Sequence, residues 1–291
     1  MTADELHALY WHETINCCVP HGARVWDYWM GGKDYYPVDQ EAGDRYAALF
    51  PGIIDAVRNC RDFTARAVHF LVAEAGVRQF LNIGTGFPFP ENVHEVAQRA
   101  ASETRVVYAD NDPLVIAYAD ALIAGSSSRG IVDCIAVDVC DTRKLVEAAG
   151  KTLNFVEPIG LLLTGLLGYI TNDTDAYLIV RDLMEALPPG SYLTVADLAC
   201  TDASLEKAQR DYNASGADPY RLRSPKHIEQ FFDGLDVLEP GVQRCSKWRL
   251  DSGRATGFAE RVLYGGVGRK PVNHIDSAGH FVSSADRNPL R

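Results

Sequence analysis

The chain has 291 residues and a formal net charge of −11, a balance that argues against a nucleic-acid partner, because gripping a phosphate backbone takes a concentrated basic surface. At 47% hydrophobic and 23% charged residues the composition is that of a soluble globular protein with a full core and excludes a disordered one. Seven cysteines without a CxxC pair argue against a zinc site and fit free thiols in a reducing cytoplasm. No basic-then-apolar leader opens the sequence, and no window reaches the ~18 apolar residues of a membrane span.

Residues 1–77 read as mainly helical. Within them Arg24–Tyr36, RVWDYWMGGKDYY, crowds aromatic side chains around a Gly-Gly pair. A later stripe of Val57, Cys60, Ala67/Val68, Leu71/Val72 and Ala75 has helical spacing and is expected to pack on a sheet. From residue 78 the pattern alternates strand and helix. Phe80–Ile83 is a short apolar strand ending in Gly84-Thr85-Gly86. Pro90-Glu91-Asn92 then opens a helix with Val93, Val96, Ala97 and Ala100 on one face. Val106–Tyr108 is the second strand, followed by a helix begun by Asp112-Pro113. Ile131–Asp138 reads as the third strand, and the uninterrupted run Ile159–Thr164 as a fourth, buried on both faces. Asn172–Leu187 is a helix closed by Pro188-Pro189-Gly190, and Ser191–Ala196 is the fifth strand. Beyond residue 200 the pattern gives helices at Ala203–Tyr212 and from Ser224-Pro225 to Phe232, with late strands near 236–239 and 258–264. The division is a helical segment over 1–77, an α/β core over 78–270 and a polar tail over 271–291. Repeated β-α-β in one direction predicts an open parallel sheet with right-handed crossovers.

The chemistry lies at the strand ends. A glycine turn after one strand and an acid, Asp110, at the tip of the next is how such a sheet holds an adenosine-type cofactor. Glycine lets the backbone approach the ligand, and the carboxylate accepts hydrogen bonds from ribose hydroxyls. Gly84-Thr85-Gly86 lacks the third glycine of the GxGxxG fingerprint, with Pro88 near its place. That disfavours a pyrophosphate on the helix N-terminus, and with it a nicotinamide oxidoreductase. A cofactor without phosphate, S-adenosylmethionine, fits better. Asp138 is placed to bond the adenine amine, or else to cap the segment after it.

These residues carry a resemblance. RVWDYWMGGKDYYPVDQ, RQFLNIGTGFPFPENVHEVAQ, RVVYADNDP, PPGSYL, FFDGLDVLEPG and GGVGRKP together resemble a bacterial family of S-adenosylmethionine-dependent methyltransferases. That family, long catalogued as a domain of unknown function, is frequent in antibiotic-producing bacteria, and the likeness spans roughly residues 20–270. It implies the class I methyltransferase fold, a Rossmann-like sheet of seven strands with the last antiparallel. It also implies cofactor contacts from Gly84, Thr85, Gly86, Asp110, Asn111 and Asp138, with the Arg24–Lys33 segment as a lid. Val139 and Thr164 join the candidate cofactor set, and Arg24 and Lys33 are candidates for the cofactor carboxylate. Two positions depart from the family pattern. Asn82 stands where the family usually has Asp, and Leu167-Gly168-Tyr169 stands where it tends to read Leu-His-Phe. Glycine at 168 removes a base and leaves space beside the expected methyl position, which is either a hint of a large acceptor or plain loop drift.

Methyl transfer from a sulfonium is an in-line displacement in which the protein aligns the partners and excludes water. Tyr28, Trp29, Tyr35, Tyr36, Phe87, Phe89 and Tyr169 could wall a pocket for a flat acceptor or belong to the core. Asp27, Tyr28 and Tyr169 are the catalytic candidates, the first two for polar steering or proton acceptance. His94 is read as a structural hydrogen-bonding residue. Arg221 and Arg223 either line the acceptor entrance or lie on the surface. The expected activity is a cytoplasmic methyltransferase of natural-product biosynthesis acting on a small aromatic or heteroaromatic acceptor. The leading expectation is carbon methylation of an indole in a tryptophan-derived alkaloid or cyclic dipeptide. The alternatives are O- or N-methylation of another secondary metabolite, or a non-catalytic cofactor-binding regulator. No metal, nucleic acid or membrane is implied, and homodimerisation stays open.

Overall fold

The computed structural model describes residues 15–124, 130–249, 261–272, 274–275 and 281–282. Five apolar segments form the parallel centre of one sheet: β1 (Gln79–Ile83), β2 (Arg105–Asp110), β3 (Val132–Ala136), β4 (Gly160–Thr164) and β5 (Tyr192–Leu198). They lie in the order β3-β2-β1-β4-β5, with Asn82 opposite both Tyr108 and Leu162. Strand order reverses outward from β1, so the carboxyl ends of β1, β2 and β4 open a crevice along one edge, the usual ligand position in open α/β sheets.

Beyond β5 the sheet continues through β8 (Leu263–Arg269), antiparallel to β5, and β6 (Asp236–Val237), antiparallel to β8. The expected class I arrangement of seven strands with an antiparallel last strand is therefore present. An eighth strand, β7 (Gln243–Arg244), also pairs with β8. The strand predicted near 258–264 lies further along, and residues 250–260 fall outside the described ones. The predicted tail is described only as a two-residue pairing of β9 (His274–Ile275) with β10 (Phe281–Val282).

Side chains alternate across each strand and divide the interior into two cores. Phe80, Val106 and Leu162 share one with α3 (Ile53–Ala73) and α4 (Val93–Ala100). Leu81, Val107, Leu161 and Leu163 share the other with α6 (Thr142–Ala149), α7 (Asp173–Ala186) and Ile228 of α9 (Pro225–Gln230). Each fully buried Leu or Ile stabilises by roughly 1.5–3 kcal/mol. The stripe read on α3 is buried from Val57 to Val72, with Val57, Ala67, Val68 and Leu71 wholly covered, while Ala75 lies beyond the helix and is half-buried. The remaining α-helices among the described residues are α1 (Gly22–Met30), α2 (Pro37–Leu49), α5 (Pro113–Ala124) and α8 (Ala203–Asn213).

One local result differs from the sequence expectations. The stretch between Asp138 and Ile159 was assigned no element, yet it holds α6, a short helix that buries Leu145 and Ala149. Its cap is Asp141, whose carboxylate accepts from the Lys144 N–H at 3.0 Å, so Asp138 is free of that duty. At α4 the cap is Asn92, in a reciprocal box with Glu95.

Candidate active site

A cavity of about 360 Å³ lies over the carboxyl ends of β1, β2 and β4. Its floor begins with Asn82, whose Nδ2 donates to Thr85 Oγ1 at 3.1 Å across the glycine turn. Gly84 follows at φ 67°, and a Cβ there would stand 2.6 Å from Leu166 Cδ1. The turn therefore demands glycine twice over, for its left-handed backbone and for the missing side chain. Gly86 donates its N–H to Asp110 Oδ2 at 3.1 Å, while the Asp112 N–H reaches Oδ1 at 3.0 Å. Burial pushes the Asp110 carboxyl above its ordinary value, against the pull of those two donors. Asp138 behaves oppositely. Burial raises it, but the Cys140 N–H and Asn111 Nδ2, each at 2.8 Å, outweigh that and hold it low.

The roof is α1 and the turn after it. Gly22, Ala23, Trp26, Asp27 and Met30 all face the cavity, one stripe at helical spacing. The Trp26 ring lies over Gly165, its Cη2 2.8 Å from where a Cβ would be. Gly31 ends the helix in the left-handed conformation at φ 84°. Gly32 then passes so close to the Asp27 carboxylate that a Cβ would stand 2.0 Å from Oδ1. The Asp34 N–H donates to Asp27 Oδ2 at 2.8 Å. Burial lifts the Asp27 pKa above its usual range despite that bond.

The structure brings most of the sequence candidates into this cavity: Gly84, Thr85, Gly86, Asp110, Asn111, Asp138, Val139 and Thr164 on the floor, with Asp27 and Tyr169 facing them. Burial holds the Tyr169 phenol well above its ordinary pKa, so it stays protonated. Three candidates are not brought there. Tyr28 lies off the α1 stripe by one residue, about 100° of helix, and its hydroxyl donates to Asp44 on α2. Arg24 is buried on another face, its Nε on Asp39 Oδ2 at 3.0 Å and its Nη2 on the carbonyls of Asn16 and Val19. It fastens the chain entering and leaving α1. Lys33 is exposed on the turn and does not line the cavity.

Of the aromatic candidates, Phe87, Phe89 and Tyr169 line the space. Trp29 packs edge-on against Tyr46 in the core, Tyr28 against Tyr35, and Tyr36 lies under the Arg24 guanidinium. His94 is structural, its Nδ1 2.9 Å from the Tyr108 hydroxyl, and burial lowers its pKa. Arg223 is neither at an entrance nor on the surface. It is buried, paired with Asp173 at 3.0 Å, and donates to the carbonyls of Leu167 and Ile170 on either side of the 3-10 turn Leu167–Tyr169. Arg221 shares Asp173 at 2.6 Å. The space expected above Gly168 is filled, because a Cβ there would stand 2.0 Å from Tyr220 Cζ. Glycine at 168 thus admits the Tyr220 ring and does not enlarge the cavity.

Sequence reasoning missed several lining residues. Trp26 and Met30 were legible as the i, i+4 continuation of the α1 stripe. His21 was not. Its Nδ1 lies 2.9 Å from Asp112 Oδ2 and its Nε2 3.4 Å from Asp218 Oδ2, contacts made by distant parts of the chain. Burial pulls the imidazole pKa down, but the Asp112 bond and the charges of Asp112 and Asp218 outweigh it and raise the pKa. Arg61 was missed as well. It follows the buried Cys60 on α3, and its Nη2 donates to the Phe87 carbonyl at 2.7 Å.

A family model described as S-adenosyl methyltransferase matches residues 10–271. The chain belongs to the S-adenosyl methyltransferase family. It is 40% identical to a DUF574 family protein from Streptomyces avermitilis MA-4680 of known structure, over 87% of this chain and 98% of that one, with a TM-score of 0.82. A proposed methyltransferase from Thermobifida fusca YX is 32% identical over 87% of this chain and 95% of its own, with a TM-score of 0.80. No curated protein matches the sequence. As an S-adenosyl methyltransferase the chain uses S-adenosylmethionine, which brings an electrophilic methyl group on a sulfonium. The residues present fit that cofactor, since the missing side chain of Gly86 leaves the turn open there, with only Arg61 Nη2 at 4.0 Å from the Cβ position, and Asp110 offers buried acceptors for hydroxyls. Among the described residues no helix is long and apolar enough to cross a membrane.

Proposed function

We propose that this S-adenosyl methyltransferase methylates a small aromatic or heteroaromatic natural product in the cytoplasm, with a carbon atom of an indole as the acceptor position. The observation that carries this reading is the composition of the cavity wall. Trp26, Phe87, Phe89 and Tyr169 line the cavity, and aromatic rings suit both a planar acceptor and a positively charged sulfur.

The aromatic faces favour attack by an electron-rich ring, with the cavity's bases being carboxylates, Asp27, Asp110, Asp138 and Asp218, and the imidazole of His21. Asp112 and Asp218 favour the protonated form of His21, against the pull of burial. Tyr169 keeps its proton. On this reading the Gly84–Gly86 turn, Asp110 and Asp138 fix the nucleoside, the aromatic faces set the acceptor plane, and the roof keeps water out.

The test is incubation of the purified chain with methyl-13C-labelled S-adenosylmethionine and a panel of indole-bearing cyclic dipeptides and alkaloids, with the product examined by NMR. A labelled methyl on an indole carbon is expected. A label on oxygen or nitrogen would replace this reading with heteroatom methylation. Tight S-adenosylhomocysteine binding with no transfer, even to an extract of the producing organism, would replace it with a regulator.

A further inference from the structure

Among the described residues Arg61 is the one arginine or lysine that lines the cavity, against four carboxylates: Asp27, Asp110, Asp138 and Asp218. Three of those four have partners that account for them. Asp110 takes the Gly86 and Asp112 N–H groups, Asp138 takes Asn111 and Cys140, and Asp218 faces His21. Asp27 takes the Asp34 N–H and Arg61 donates to the Phe87 carbonyl, one bond each, with no opposite charge in contact among the described residues. Each feels the charge of the other, yet no ion pair joins them at contact distance among the described residues. Burial raises the Asp27 carboxyl and lowers the Arg61 guanidinium, so both charges are costly where they stand.

Their positions follow the cofactor's shape. Gly86 has the Asp110 carboxylate on its N–H, and the Arg61 Nη2 lies 4.0 Å from where its side chain would begin. Asp110 and Arg61 thus both border Gly86, so a cofactor seated on the glycine turn has the guanidinium within reach of its amino-acid end. That end carries one carboxylate and one ammonium. A planar guanidinium suits the first and an acceptor-only carboxylate the second.

We propose that Arg61 binds the α-carboxylate at the amino-acid end of the cofactor and that Asp27, from the roof, binds its α-ammonium. The proposal rests on the cofactor occupying this cavity. It moves carboxylate recognition from Arg24 and Lys33 on the lid to α3 beneath it, and it makes roof closure part of cofactor recognition, since Asp27 arrives with α1. It also removes Asp27 from the supply of proton acceptors.

The test compares two nucleosides by calorimetry. S-adenosylhomocysteine carries the amino-acid end, and 5′-methylthioadenosine lacks it. In the native chain the first should bind more tightly. Arg61→Met should weaken S-adenosylhomocysteine by roughly 10- to 100-fold, the scale of hydrogen bonds to charged groups, and leave 5′-methylthioadenosine unchanged. Arg61→Lys should recover part of the loss. Asp27→Asn, which leaves Arg61 and its bond to Phe87 in place, should give the same one-sided loss and carries the test if the methionine variant does not fold. Equal weakening of both nucleosides would reduce Arg61 to an anchor for the Phe87 turn and overturn the proposal. Weakening of neither would overturn it as well. If neither nucleoside binds the native chain, the placement of the cofactor in this cavity is what fails.

Discussion

The floor of the cavity is set by backbone pairing, because each of its strand ends is held by a ladder bond, as Gly84 N–H on the Ala109 carbonyl and Gly165 N–H on the Ala196 carbonyl. The roof has no such ladder. Its one helix is held by the buried Val25 and Trp29 and by polar pins from far along the chain: Arg24 to Asp39, His21 to Asp112 and Asp218, and Asp34 to the Tyr118 hydroxyl. A floor of backbone bonds opens only with the whole sheet, whereas a roof of side-chain pins can open alone. One region is therefore a fixed template and the other a closure that can be tuned residue by residue.

The largest effect that would break this contrast comes from Asp39. Its carboxylate accepts from the His21 and Tyr36 N–H groups and from Arg24. Asp39→Ala strands a buried guanidinium and should cost the roof about 3–5 kcal/mol. Hydrogen exchange should show the amides of 22–36 losing protection while those of β1 and β4 keep theirs. Equal loss in both regions would mean that roof and floor unfold together.

A smaller effect is expected on the floor. Gly84→Ala forces a side chain onto a left-handed backbone and against Leu166, with a strain of about 1–3 kcal/mol. Here the whole melting transition should shift down, and S-adenosylhomocysteine affinity should fall with it.

The smallest effect is that of pH on the roof. In the folded chain the His21 pKa lies above its ordinary 6.5. Its contribution is therefore complete below that ordinary value and is lost as pH rises through the raised one. Asp112 lies below its ordinary value, since the His21 bond and charge outweigh the upward push of burial. Its share persists until pH falls through that lowered value. The partly exposed pair is worth no more than about 1 kcal/mol. Exchange of the roof amides, corrected for intrinsic rate, should quicken from mildly acidic to mildly alkaline buffer, and His21→Gln should flatten the slope.

The same contrast explains what could be read from the sequence. Floor residues are local in sequence and stereotyped in pattern: an apolar strand, a turn that must be glycine, and an acid at the next strand tip. Gly84, Asp110 and Asp138 were legible for that reason. The roof could be read only as a segment. The periodicity of α1 separates Asp27 from Tyr28, but nothing local says that Arg24 is claimed by Asp39 or that His21 meets Asp112 and Asp218. Arg61 was hidden differently, as a charged residue beside Cys60 on a helix whose apolar stripe signals only packing. The short helix α6 escaped because its apolar face reduces to Leu145 and Ala149, too few to establish a period.

Positions 168 and 220 divide one volume between them. The Tyr220 ring lies where a side chain on 168 would stand, and its hydroxyl donates to the buried Asp197 at 2.8 Å while Leu198 N–H reaches it at 3.2 Å. An imidazole placed at 168 would have to evict that phenol and take the hydroxyl donor from the Asp197 carboxylate. The glycine, the tyrosine and the aspartate consequently behave as a linked set, so enlarging position 168 alone would damage the wall on which Tyr220 and Asp197 rest.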